Sequence, residues 1–234
     1  MNVLVISCHP DDMEINCAGT LLRCKKRGDN VTVCHVANGN MGHVVLEADE
    51  LRRVRLAEAQ KSGALAGFRV VTCDVGDLLV NSADKAQLDR LVQIIREADP
   101  DFIITHGPED YMCDHVETHK LAFKASFMAT VPHYEPQLGK ACRVVPMYYM
   151  ENANLLQCEP TEFVDISNEL ETKLQMLACH ESQLVWLKDH DDNDVLENTR
   201  VCARFRGLQC GVKYAEGFRA CNVGLKTTTR RMLP

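Results

Sequence analysis

Four short apolar runs limit what this chain can become. VLVIS (3–7), NVTVCHVAN (30–38), FRVVTCD (68–74) and DFIITH (101–106) each hand over to a helical stretch. Short, nearly unbroken apolar runs mark strands buried on both faces. The stretches at 14–27, 47–66, 84–98 and about 115–129 read as helices, the first closed by Gly28 as a C-cap. Such alternation implies βαβ units, right-handed crossovers and a parallel sheet. RVVPMYYM (143–150) reads as a fifth strand, and its proline suggests an edge or a bulge. The expected fold is α/β: a single domain (1–234) with a Rossmann-like parallel sheet of about five strands and helices on both faces. Residues 1–150 form the core, and 151–234 are a C-terminal extension packed on it. The extension is less regular, with a helix near 167–182 and a charged loop at 187–198.

Ligands of such sheets bind beyond the carboxyl ends of the strands. His9 follows the first strand, the Gly/Asn-rich loop 38–43 the second, and His106 ends the fourth. One sheet edge therefore gathers polar residues from three separate segments.

Charge and composition exclude several partners. The net charge of −7 argues against nucleic acid, whose phosphates are met by clustered Lys and Arg. No apolar run approaches the ~20 residues that cross a bilayer, so no membrane partner is expected. MNVLVISCHPDD has no basic leader, and a cytoplasmic protein is expected. The 12 cysteines lie singly, with no CxxC, as reduced structural thiols would. Cys113 stands out because it falls inside a polar motif where a soft ligand could reach an ion.

That motif and its partner carry the chemistry. In CHPDDMEIN, His9 and Asp12 are three apart in a turn entering a helix, so both can face one ion while Asp11 points elsewhere. A carboxylate beside a metal-bound water is the usual general base, although helix capping would account for one of the two aspartates. THGPEDYMCDHVETH (105–119) adds His106, Asp110, Asp114 and His115. His115 is the best third ligand, with Asp114 beside it as orienter. Two histidines and a carboxylate suit Zn2+ and also Fe2+. HVETH is not HExxH, so His119 is read as outside the ligand set. Glu14 reads as a helix cap or orienter, His35 as a core histidine, and Trp186 as a sugar-stacking or packing residue.

HPDDMEINCAGTL together with THGPEDYMCDH resembles the PIG-L/LmbE-like family of zinc-dependent N-deacetylases. Arg55-x-x-Glu58-Ala59, His180-x-Ser182-Gln183 and Tyr214-Ala215-Glu216-Gly217-Phe218 are similar to further family segments, so the likeness covers nearly the whole chain. The resemblance implies that His9, Asp12 and His115 bind Zn2+ and that Asp11 activates water against an acetamide. The substrate it implies is a small N-acetylated amino sugar or a GlcNAc conjugate. Arg55, His106 and the loop Asn38–His43 would face the sugar, and relatives imply a homo-oligomer. For His43, plain surface is the competing reading.

One position departs from the family. Met112 stands where the family carries a histidine two residues before Asp-His, and methionine donates no hydrogen bond. Losing one such donor costs ~10²–10³ in rate. His106, Tyr111 or His180 would have to substitute. The alternative is a catalytically impaired metal-binding homologue that binds a sugar-type ligand.

Overall fold

The computed structural model describes residues 1–155 and 159–234. In chain order the elements are β1 (Asn2–Ser7), α1 (Asp12–Asn16), α2 (Ala18–Lys26), β2 (Asn30–Ala37), α3 (Ala48–Ala66), β3 (Arg69–Val75), α4 (Lys85–Ala98), β4 (Phe102–His106), α5 (Cys113–Met128), β5 (Met147–Met150), β6 (Glu162–Asp165), α6 (Leu170–Leu177), α7 (Glu181–Asp191), α8 (Val195–Cys210) and β7 (Ala215–Ala220). They form one α/β unit around a seven-stranded sheet of order β3-β2-β1-β4-β5-β7-β6. Strands β1 to β5 pair in parallel, and β6 and β7 pair antiparallel. Among the described residues no helix is long and apolar enough to cross a membrane.

Strand alternation sorts the core onto two faces. Val3 and Val5 of β1 join the cluster built with Met13, Leu21, Leu170 and Leu174. Leu4, Ile6 and Cys8 join the other, with Leu88, Leu91, Leu121 and Ala125. Both faces of β1 are covered, which is why its sequence shows no polar alternation.

Four expectations change. The fifth strand is internal, paired with β4 on one side and β7 on the other. Pro146 only precedes it, and its carbonyl still accepts from the Ile103 amide at 3.0 Å. The sheet has seven strands because the C-terminal part adds EFVD and AEGFRA to it. The charged 187–198 segment is the end of α7 and the start of α8 rather than a loop.

The helix expected at 14–27 is broken at Cys17 into α1 and α2. Glu216 of β7 caps the second piece: its carboxylate accepts from the Gly19 and Thr20 amides at 2.9 and 2.7 Å and from Lys173 Nζ at 2.6 Å, all buried. A Cβ on Gly19 would lie 2.7 Å from Ile166, so only glycine permits this approach. Glu216→Ala would strand a buried ammonium and two helix-start amides, at an expected cost of about 3–5 kcal/mol. Urea unfolding checks this; Glu216→Gln, which keeps an acceptor, should lose clearly less.

The strand order reverses between β1 and β4, the position where open α/β sheets form a crevice. The HPDD turn leaves β1, and the second polar motif leaves β4. Both therefore flank that crevice.

Candidate metal centre

The turn out of β1 is strained. Asp11 has φ 120° and ψ −29°, a backbone conformation that costs a non-glycine residue on the order of 1–3 kcal/mol. The turn is closed by the Asp12 amide on the His9 carbonyl (3.3 Å) and the Ile15 amide on the Asp11 carbonyl (2.9 Å). One consequence is that the adjacent carboxylates diverge. Asp12 accepts from the His9 amide at 2.6 Å and lies 3.3 Å from His115 Nε2 and 3.5 Å from His106 Nε2. Asp11 instead faces Arg55, whose Nη2 is 3.3 Å away. His9, Asp11, Asp12 and His115 are all buried.

Single donor atoms of Cys8, His9, Asp12 and His115 lie within 4.8 Å of one another. Zinc holds nitrogen and oxygen ligands at about 2.0–2.2 Å, so neighbouring ligand atoms stand a little over 3 Å apart. The His115–Asp12 separation matches that. Both ring nitrogens of His115 are buried, and neither makes a hydrogen bond despite the nearby carboxylates. A divalent cation fits this donor set.

The electrostatics agree. Burial disfavours charge on both rings, yet Cys8, Asp114 and Asp12 raise His9 well above its usual range. Asp12 and Asp110 overcome burial at His115 and carry it up to about 10. Burial would raise Asp12, but His115, His106 and His9 hold it well below the usual carboxylate range. The pocket is built to hold positive charge, and an ion could take the place of the imidazole protons. Asp11 moves the other way. Burial, with help from Asp12, raises it to about 6 against the opposing charges of Arg55, His180 and His9.

The other residues singled out in the sequence are placed as follows. Asp114 Oδ2 accepts from the Leu78 amide at 2.6 Å and lies 3.4 Å from His9 Nε2. It is Asp110, not Asp114, that stands beside His115, with Oδ1 3.1 Å from Nδ1. Neighbouring residues on a helix diverge by about 100°, which separates Asp114 from the ring that follows it. His106 is 1% exposed; its Nε2 accepts from the Cys8 amide at 2.9 Å and its ring stacks on His115 at 4.2 Å. It supports the centre from below and offers no open face. Arg55 is buried against Asp11, the Pro10 carbonyl and Gly39. A Cβ on Gly39 would meet the Arg55 side chain at 2.6 Å. Asn38 bonds Asp74 (3.1 Å), and His43 Nδ1 accepts from the Val45 and Leu46 amides (3.0 Å each) within its own loop. Cys113 is exposed; the sulfur in the cluster is that of Cys8.

Asp77 carries no such signal in the sequence, and Glu14, Glu58 and Tyr111 take places that the sequence does not specify. Asp77 accepts from the Gly39 and Met41 amides (2.8 and 3.0 Å) and lies 3.9 Å from His9 Nε2, tying two loops to the centre. Glu14 makes no cap. It accepts from Ser62 Oγ at 2.6 Å and lies 3.1 Å from His180 Nε2, both fully buried. Burial pushes Glu14 up, but His180 outweighs it and holds the carboxylate at about 2. Glu58 accepts from the amide and hydroxyl of Ser182, so the Arg55–Ala59 and His180–Gln183 segments meet. Tyr111 sits at the mouth, 61% exposed, its ring edge-on to His115 at 5.8 Å. Lost solvation and the carboxylates of Asp12, Asp110 and Asp11 push its phenol up to about 12, so it stays a donor at neutral pH.

A family model described as PIG-L, GlcNAc-PI de-N-acetylase, matches residues 4–126. The chain is 28% identical to a diacetylchitobiose deacetylase of Thermococcus kodakarensis over 93% of this chain and 82% of that protein. It is also 28% identical to a 4-oxalmesaconate hydratase of Pseudomonas putida over 78% and 74%. The solved N,N'-diacetylchitobiose deacetylase of Pyrococcus horikoshii superposes with a TM-score of 0.81 at 25% identity, covering 94% of this chain and 83% of that one.

Proposed function

This chain belongs to the PIG-L family of GlcNAc-PI de-N-acetylases, and from that premise we propose that it is a divalent-cation-dependent hydrolase removing the acetyl group from an N-acetylated amino sugar or GlcNAc conjugate. The carrying observation is the buried His9, Asp12 and His115 cluster with the adjacent Asp11 outside the ligand set and paired with Arg55. The similarity to a deacetylase of diacetylchitobiose supports the substrate class.

His9, Asp12 and His115 would hold the ion, Zn2+ in this reading, with Fe2+ also suited to the set. A bound ion supplies Lewis acidity, polarising a carbonyl and lowering the pKa of water. Asp11, ionised near neutral pH and oriented by Arg55, takes a proton from the water that adds to the amide carbon. The protonated Asp11 then returns that proton to the departing amine nitrogen. Asp114 and Asp110 fix the rings of His9 and His115. Tyr111, the exposed donor at the mouth, steadies the developing oxyanion that Met112 cannot reach with a hydrogen bond.

The deciding experiment is amine release from N-acetylglucosamine, diacetylchitobiose and an N-acetylglucosaminyl malate by the zinc-loaded chain. Turnover of at least one is expected. Zinc without amine release from any would overturn the deacetylase reading. The hydratase relative favours a second reading, water addition to an unsaturated tricarboxylate, which 4-oxalmesaconate consumption would test. Failure of both assays with zinc in place would leave a metal-binding homologue without turnover. In the deacetylase reading Met112→His adds a second donor beside that of Tyr111. Its kcat on the best substrate should rise by up to ~10²-fold. An unchanged kcat would mean that the Tyr111 hydroxyl already fills that place.

A further inference from the structure

Cys8 directly follows β1, one residue before His9, and is 0% exposed. Strand alternation puts it on the apolar face with Leu4 and Ile6. A small buried hydrophobe would suffice there, and a cysteine supplies one. Its sulfur also faces the polar cluster. Sγ lies 3.7 Å from His9 Nε2 and within 4.8 Å of the donor atoms of His9, Asp12 and His115. Zinc–sulfur and zinc–nitrogen bonds of about 2.3 and 2.0–2.1 Å in a tetrahedron separate sulfur from nitrogen by roughly 3.5 Å. The contact to His9 is close to that edge. His115 Nε2, buried, without a well-aligned hydrogen bond and 3.3 Å from Asp12, faces the same space.

We propose that Cys8 is a metal ligand, so that the centre is Cys8/His9/Asp12/His115 rather than two histidines and a carboxylate alone. The proposal rests on the metal-centre reading above and extends it. On ion binding the Cys8 thiol becomes a thiolate and its proton leaves to bulk buffer. A thiolate biases the site toward zinc, cobalt and cadmium and away from magnesium and manganese. Four protein ligands also fill a tetrahedron. With four protein ligands, a zinc site would have to expand to five-coordinate to take up a substrate carbonyl or a water.

The test uses the full chain loaded with Zn2+ and, separately, with Co2+. Zinc-edge X-ray absorption should show one sulfur at about 2.3 Å. The cobalt form should show a thiolate-to-metal charge-transfer band in the near ultraviolet. Cys8→Ser should abolish both signals, and Cys113→Ser should leave both intact. Zinc affinity in Cys8→Ser should fall by more than the about 10–100-fold that loss of an outer partner costs. A shell of nitrogen and oxygen only, with zinc still bound to the wild-type chain, overturns Cys8 as a ligand and leaves the metal centre standing. No bound zinc at all overturns both. The wild-type spectra decide the matter even if Cys8→Ser does not fold.

Discussion

Asp11→Asn should leave zinc content unchanged and lower kcat by about 10²–10⁴-fold, the range a positioned general base contributes. The variant keeps the size of the side chain and can still meet Arg55 through its carbonyl oxygen, but it cannot accept a proton. The wild-type pH profile should carry the same signature. Asp11 is active as the carboxylate, and burial raises it to about 6, so kcat/KM should climb through roughly that pH and then level. In Asp11→Asn the residual rate should lack that limb. Loss of zinc in the variant would mean that Asp11 is a ligand rather than the base. Full activity would assign the proton transfer to another group.

The parallel part of the fold is legible in the sequence because β1, β2 and β4 are buried on both faces and read as apolar runs. The C-terminal strands are not. EFVD and AEGFRA are short and mixed, and they gain strand character only by pairing with each other and with β5. Pro146 misleads for a local reason: it marks the first residue before a strand, where no ladder amide is needed. The break at Cys17 has only Gly19 as a local signal; Glu216, almost two hundred residues away, stabilises it.

The site divides in the same way. His9, Asp12 and His115 come together as the strand order leads one to expect, since residues following β1 and β4 meet at the crevice. What each carboxylate does next depends on tertiary geometry. Asp110 takes the place beside His115 expected of Asp114, which faces His9 instead, because α5 starts between them. Arg55 turns onto Asp11 because Gly39 leaves room for it. Asp77, in the plain stretch DVGD, becomes a clamp only when the loops after β2 and β3 lie side by side. The segments resembling family motifs outside the centre are mainly scaffolding: Glu58 anchors Ser182, and Glu216 anchors Gly19 and Thr20.

His115→Ala tests the centre as a whole, and its expected effect is larger still: zinc at trace level after dialysis and amine release below detection. The ligand removed is the one that links the two motifs, since Asp12 leaves the β1 turn and His115 lies in the first turn of α5. Without an ion, water returns to a pKa of about 15.7, which Asp11 cannot deprotonate at neutral pH. Stability supplies a readout independent of turnover. Zinc at a hundredfold above its Kd should stabilise the wild-type chain by about 2.7 kcal/mol, and His115→Ala should show no zinc-dependent shift in Tm. The ion-free proteins should differ as well. Asp12 and Asp110 raise His115 to about 10 in the folded chain, against ~6.5 unfolded. That interaction stabilises fully below the unfolded value and is lost as pH rises toward the folded one. Ion-free wild type should therefore lose stability between about pH 6.5 and 10 by this linkage, a loss that His115→Ala lacks. A zinc-dependent Tm shift that survives in His115→Ala would place the ion on other ligands and dissolve the centre as drawn.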